Sequence, residues 1–418
     1  MKIKIDYGKN GLIIEVPDNA TVLKPKHKEK IDNPEAVIMS SLMNPINSPP
    51  LINLYKKGMK VGISVCDHTR AQPRNEIIKC IMELLGNIDK ENFLIFIATG
   101  SHRQSTDEEI SKMFNKEILS NVTIINHEGN KDSNIKTIGE TSKKTPIEIN
   151  KEWLDCDLKI TTGFVEPHFF AGFSGGPKMV APGLAGLETI MNLHDYKRIK
   201  HNKSIWGVTK GNPIHEEISE ISRIISVDFA IDLTLNRNQN ITGVFAGDLE
   251  TEHEIACSRV KRDSMIATKK MFDLVITSNS GYPLDQNLYQ SIKGISAAAQ
   301  ITKPGGTIIS VTECSDGIPN GSSYHKLLKS FPDPKSFLSK VKDKNYSEPD
   351  QWQFQIQSQI QSNNKLMIYS KLNEIETIES HMTKITDINQ IIEGVQSKIK
   401  NPSICILPEG PQTIPYKV

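Results

Sequence analysis

Lys178 lies in a stretch, residues 163–194, that reads GFVEPHFFAGFSGGPKMVAPGLAGLETIMNLH and concentrates glycine, histidine and a lysine as core sequence rarely does. Gly172, Gly175 and Gly176 allow backbone conformations closed to other residues and let main-chain N–H groups approach an anion such as a phosphate. Pro177 and Met179 break the pattern of a P-loop, which needs Gly-Lys followed by Ser or Thr, so ATPase chemistry is disfavoured. A lysine in such a loop can be partly desolvated, which frees its amine for covalent attachment; the bland alternatives are a tight glycine turn and a solvated surface lysine. His168 precedes Lys178 by ten residues and His194 follows it by sixteen, so one segment holds candidates for a base, an anchor and a metal ligand.

Further reactive types stand just after apolar runs. His102 closes Thr99-Gly100-Ser101-His102, where a short loop can aim an imidazole into a cleft, although a lone loop histidine is more often on the surface. Asp67 and Arg70 follow the first long apolar run and suit sugar hydroxyls plus an anion, or else a structural ion pair. In the second half Tyr289 precedes Gln290 and Lys293, whose i, i+3 spacing puts them on one side of a helix where both can hold a carboxylate. Trp352 offers either an apolar wall or simple helix packing, and spacing alone favours packing.

The elements that must position these residues are strands and crossover helices. With 418 residues the chain exceeds one ordinary core, and two α/β domains with a ligand cleft between them are expected. Runs at 61–66, 93–99, 122–126 and 158–164 read as buried parallel strands, as do 274–278, 307–312, 366–370 and 404–407. Residues 75–85 carry helical periodicity with Asn75 as the expected cap, and the opening residues alternate around a turn at 8–11 as in a hairpin. Four strand ends run into polar segments, the place where open parallel sheets gather function. The glutamine-rich segment 351–361 reads as a polar helix.

Charge and composition exclude several classes. Lys and Arg number 50 against 49 for Asp and Glu, without a field that would select nucleic acid or an anionic membrane. The six cysteines lack C-x-x-C pairs, which argues against a disulfide framework or a cysteine zinc site. No run approaches a membrane span and the first residues lack a secretory apolar stretch, so the cytoplasm is the expected compartment.

Taken together, the segments Asp67-His68-Thr69-Arg70, Gly100-Ser101-His102-Arg103, Glu166-Pro167-His168 through Gly172-Phe173-Ser174-Gly175-Gly176-Pro177-Lys178 to Asn192-Leu193-His194, Tyr289-Gln290 with Lys293, and Trp352 resemble the nickel-dependent lactate racemase family. Ala71 stands where that family has proline after the arginine. The resemblance covers nearly the whole chain. It implies a nickel-pincer nucleotide, a pyridinium bisthiocarboxylic acid mononucleotide, tethered at Lys178, with His194 as the protein ligand to nickel. It further implies His102 and His168 as the catalytic acid–base pair, and Asp67, Ser174, Gly175 and Gly176 as seats for the nucleotide. Arg70, Tyr289, Gln290, Lys293 and Trp352 would hold a small 2-hydroxy acid. Hydride removal avoids the poorly stabilised dianion that proton removal beside a carboxylate would create, and a planar 2-keto acid can take hydride back on either face.

The expected organisation is a catalytic domain over 1–265, an α/β domain over 266–405 that completes an interdomain site, and a tail over 406–418 packing back on the first. The cofactor would come from separate biosynthetic enzymes. Malate or a sugar acid remains an alternative substrate to lactate. A zinc hydrolase built on His102, His168 and His194, and a non-catalytic cofactor carrier, are the competing classes; the first leaves Lys178 unexplained and the second needs neither His102 nor His168.

Overall fold

The computed structural model describes residues 1–26 and 28–418. The chain forms two compact units: Met1–Lys26, Asp195–His201 and Arg262–Val418 make the C-terminal unit, and the remaining described residues make the unit that bears Lys178.

The Lys178 unit is built on a six-stranded sheet ordered Ile241–Gly247, Phe229–Leu235, Leu158–Phe164, Val61–Cys66, Phe93–Ala98, Thr123–Asn126. All neighbours pair in parallel except the Ile241–Gly247 edge. Val61–Cys66 is buried along its entire length, and its continuous apolar run is what a strand covered on both faces requires. One core layer packs Ile77, Ile78 and Ile81 of the helix Arg74–Leu85 onto Ile63, Ile95 and Ile160; the opposite layer joins Phe96 to Trp153, Val180, Leu193 and Ile218. That helix starts one residue earlier than its periodicity predicts, with Pro73 at the cap position. Asn75 instead receives the Asn115 N–H at 2.9 Å, because the neighbouring helix start brings a better-placed donor.

The C-terminal unit holds a second six-stranded sheet, ordered Thr383–Lys384, Lys365–Tyr369, Thr302–Val311, Phe272–Ser278, Ile404–Leu407, Thr21–Val22, parallel throughout. The strands expected from the second series of apolar runs are all present, with ends shifted by a few residues. The opening hairpin pairs Lys2–Ile5 with Leu12–Glu15.

Two expectations are corrected. The first 26 residues belong to the C-terminal unit rather than to a 1–265 domain: Ile3, Ile5, Ile14 and Val16 share a core with Leu274, Ile276 and Ile406, and Gly8 N donates to Asp285 at 2.7 Å. The tail forms the strand Ile414–Lys417, which pairs in parallel with Met265–Thr268 inside the same unit, because apolar Ile414 is wholly buried there. The glutamine-rich segment forms the expected helix, Gln351–Asn363, and most of it is buried. Gln353, Gln355 and Gln357 are fully buried, and each finds an acceptor for its amide: the Tyr289, Tyr196 and Ser380 carbonyls.

Candidate active site

The turn that carries Lys178 is a single 3-10 turn, Gly176–Met179, entered through Gly175 at φ 72° and Gly176 at φ 51°. Both are left-handed conformations that favour glycine. Strand ends hold the turn in place. Ser64 Oγ donates to Met179 O at 2.8 Å, and Gly176 N donates to the buried Asp232 at 2.7 Å. Ser174 is absorbed by the backbone around it: its Oγ donates to Phe164 O at 2.9 Å and accepts from Glu166 N at 3.0 Å. Asp232 was not singled out in the sequence, yet a lone acid inside the apolar strand sequence FAIDLTL was the available signal.

Lys178 and His194 line one small cavity with Phe170, Ala171, Pro182, Leu193, Ile214 and Ile218. His194 terminates the helix Leu187–Leu193, and its Nδ1 donates to Ile190 O at 2.7 Å. That bond sets the tautomer with the proton on Nδ1 and the lone pair on Nε2, the arrangement of a histidine prepared as a metal ligand. Burial first, and the Lys178 charge second, push its pKa down to about 4, so the ring is neutral at physiological pH.

Phe170, which sequence reasoning passed over, ties the segment together. Its ring meets His168 edge-on at 4.5 Å and His194 edge-on at 5.2 Å, and the Lys178 ammonium lies 5.8 Å from its centroid. The Phe169-Phe170 pair directly after His168 was its signal, since an aromatic pair beside a reactive histidine serves to fix the ring. His168 sits in the short strand Pro167–His168 paired with Gly172–Phe173, and its Nδ1 accepts from Ala171 N at 3.2 Å. Its proton therefore belongs on Nε2 when the ring is neutral.

His102 has the opposite arrangement. The turn after Phe93–Ala98 is anchored by Gly100 N donating to Gly183 O at 3.0 Å, and Gly183 N in turn donates to Lys178 O at 3.1 Å. His102 Nδ1 lies 2.6 Å from Asp67 Oδ2, while Thr69 Oγ1 donates to Asp67 Oδ1 at 2.6 Å. Burial pushes the Asp67 carboxyl up, but the hydrogen bonds from His102 and Thr69 and the charge of Arg70 outweigh it and hold the pKa at about 2. Asp67 thus orients His102, with its oxygens occupied by protein donors. His68 turns away to Ser105 and Glu109, at 3.1 and 3.3 Å.

Arg70 is exposed, bonded to Thr69 Oγ1 at 2.9 Å. The buried Arg74, also missed in the sequence, organises this loop by donating to the carbonyls of Cys66 at 2.9 Å, Gln72 at 3.2 Å, Arg70 at 2.8 Å and Asp67.

In the C-terminal unit Tyr289, Gln290 and Lys293 all lie on the helix Leu288–Ala299, capped by Asn287 through Gln290 N at 3.1 Å. Tyr289 OH donates to Asp350 at 3.2 Å, and the Gln353 amide donates to Tyr289 O, so this helix is joined to the helix Gln351–Asn363 that carries the buried Trp352. Arg70, His102, His168, Lys178 and His194 belong to the Lys178 unit.

Among the described residues, no group of three or more His, Cys, Asp or Glu side chains is placed to hold a metal ion. The zinc site built from His102, His168 and His194 is therefore not formed. No helix of the described residues is long and apolar enough to cross a membrane.

Residues 7–207 match the family model of the lactate racemase N-terminal domain, and residues 267–414 that of the C-terminal domain. A lactate racemase of Thermoanaerobacterium thermosaccharolyticum is 33% identical over 99% of this chain and 98% of its own. A lactate racemase of Lactiplantibacillus plantarum is 33% identical over 98% of both. The structure of the Thermoanaerobacterium lactate racemase apoprotein superposes with a TM-score of 0.92, covering 99% of this chain and all of that one. A Thermotoga maritima protein of 19% identity, with a TM-score of 0.67 over 92% of this chain and 98% of its own, shares the fold. With both domain models matched and a third of residues identical across nearly the full length, the chain belongs to the lactate racemase family and is a racemase.

Proposed function

We propose that the chain interconverts the enantiomers of a small 2-hydroxy acid, lactate first among them, using a nickel-pincer nucleotide tethered to Lys178. The observation that carries this reading is the shared cavity of Lys178 and His194, in which a neutral imidazole of set tautomer stands beside a primary amine among apolar walls. The donor set fits the group: one nitrogen ligand and one amine for the tether, with the remaining nickel ligands coming from the nucleotide. When bound, such a nucleotide supplies a reversible hydride acceptor for C2 of the substrate.

The residues then divide the work. His194 would ligate the nickel through Nε2 and Lys178 would hold the nucleotide by its amine, with Gly175 and Gly176 letting the main chain come close. His102, with Nδ1 held by Asp67, presents Nε2 as a base for the hydroxyl proton, and His168, whose ring is fixed by the Ala171 N–H on Nδ1, is the second histidine assigned to take or return that proton. A pair of histidines suits a reaction that must run in both directions from either enantiomer. Arg70, Gln290 and Lys293 are assigned to the substrate carboxylate and Tyr289 and Trp352 to the walls around it. The six cysteines are all buried free thiols, which supports a reducing, cytoplasmic setting. Separate enzymes would build the nucleotide.

The test is to co-produce the chain with a cofactor-biosynthesis system and measure intact mass, nickel content and racemisation of enantiopure lactate, malate and sugar acids by chiral chromatography. The reading expects a mass adduct at Lys178, bound nickel and lactate turnover; an active preparation with unmodified Lys178 and no nickel refutes it.

A further inference from the structure

Beneath the glycine turn lies a buried carboxyl pair that the chemistry above does not use. Asp232 is 2% exposed on the strand Phe229–Leu235, and Glu252 is fully buried on the helix Leu249–Ser264. The main chain of the turn is pressed onto Asp232. A Cβ on Gly175 would stand 2.8 Å from both of its carboxylate oxygens, and one on Gly163 would stand 2.7 Å from Oδ1. Gly176 N donates to Oδ2 at 2.7 Å. On the other side of the turn His253 Nε2 donates to Ser174 O at 2.9 Å, and a Cβ on Gly176 would meet the His253 ring at 2.4 Å. The residues leading into Lys178 are thus gripped at Ser174 O and Gly176 N, two residues apart.

Neither Glu252 oxygen has a hydrogen-bond partner, and the Asp232 carboxyl is the neighbouring group whose charge acts on it most strongly. Among the described residues, no cationic side chain acts on either carboxyl. His253 and the His215 ring stacked on it are held neutral by burial, Cys257 is held as a thiol, and Asp248 adds negative charge. Two neighbouring ionised carboxylates in a dry interior are mutually destabilising, so a proton takes the place of the missing cation. Burial and the Asp232 charge raise Glu252 well above the usual carboxylate range, which puts that proton on Glu252.

We propose that Glu252, as a carboxylic acid, donates to the Asp232 carboxylate and that this proton-sharing pair is a positioning element for Lys178, bracing the oxygen that holds Gly176 N–H. The inference rests on the reading of Lys178 as the attachment point. It predicts that the pair needs a donor at position 252, not a charge.

The experiment compares Glu252→Gln, whose amide supplies a permanent donor, with Glu252→Met, which removes it, in protein co-produced with the cofactor system. Glu252→Gln should carry the Lys178 adduct and nickel as the wild type does, and Glu252→Met should load at least about tenfold less, the cost of an unbraced buried acceptor. Equal loading of Glu252→Met and wild type overturns the proposal. So does poor loading by a Glu252→Gln protein whose circular dichroism is native, which keeps the test decisive should Glu252→Met fail to fold. The reading of Lys178 as the tether fails separately, if active wild type carries no adduct there. In that case the rate at which trinitrobenzenesulfonate labels Lys178 in the apoprotein decides: a rate in Glu252→Met that differs from those of Glu252→Gln and wild type sustains the pair, and equal rates in all three overturn it.

Discussion

Asp67 Oδ2 stands 2.6 Å from His102 Nδ1, joining a carboxylate that is 3% exposed to an imidazole that is 47% exposed. The buried end is anchored by Thr69 and the exposed end is left to meet a substrate. A carboxylate in this place holds the ring in the tautomer with its lone pair on Nε2 and stabilises the imidazolium that forms when that nitrogen takes a proton.

Asp67→Asn preserves shape and removes the charge, so it should lower kcat by about 100-fold or more with little change in KM. Steady-state racemisation of each lactate enantiomer measures both constants. An unchanged kcat would show that Asp67 does not orient His102.

His102→Ala and His168→Ala should each retain the Lys178 adduct and nickel while losing on the order of 100-fold to 10,000-fold in rate. Because the two enantiomers have equal free energies, kcat/KM must fall by the same factor in both directions for each variant, and any asymmetry appears only as matched changes in kcat and KM. Progress curves from pure L- and D-lactate reveal this, and full activity in the double variant would remove both residues from the mechanism.

Lys178→Ala should abolish the covalent mass shift, whereas His194→Ala should lose nickel yet keep the tether. Intact mass and metal analysis on the same preparations separate these effects. Nickel retained by His194→Ala would reassign the ligand.

His215 carries the clearest signature of acid sensitivity. Burial first, and His253 and Lys178 next, push its pKa down from 6.5 to about 3. A folded-state pKa below the unfolded value means stability that is complete above pH 6.5 and lost as the pH falls from there toward about 3. Replacing His215 with Phe keeps a ring against His253 and removes the titration. The variant's denaturation free energy should therefore fall less steeply with acid, by about 1.4 kcal/mol for each pH unit in that window. Parallel pH profiles for variant and wild type would contradict the assignment.

Arg74→Met should destabilise the fold by about 3 kcal/mol, because it strips charge-assisted hydrogen bonds from the carbonyls of Cys66, Asp67, Arg70 and Gln72 and puts an apolar chain among them. Denaturant unfolding gives the value. A loss below about 0.5 kcal/mol would mean that water replaces the guanidinium there.

The alternation of apolar runs and helical periods was enough to place both parallel sheets, since burial on two faces writes itself into every strand as continuous hydrophobicity. The glycines around Lys178 and the histidines flanking it were likewise visible, because their chemistry is a property of residue type and near spacing. The sequence could not show that Asp67 would face His102 across 35 positions, that Asp232 would lie under Gly175, or that residues 1–26 would complete the distant C-terminal sheet. It gave no sign either that Gln353, Gln355 and Gln357 would be buried with their amide nitrogens bonded to carbonyls. Local patterning dictates what each segment becomes, whereas partners across a sheet follow from which strands lie side by side, and that adjacency is decided only when the whole core packs.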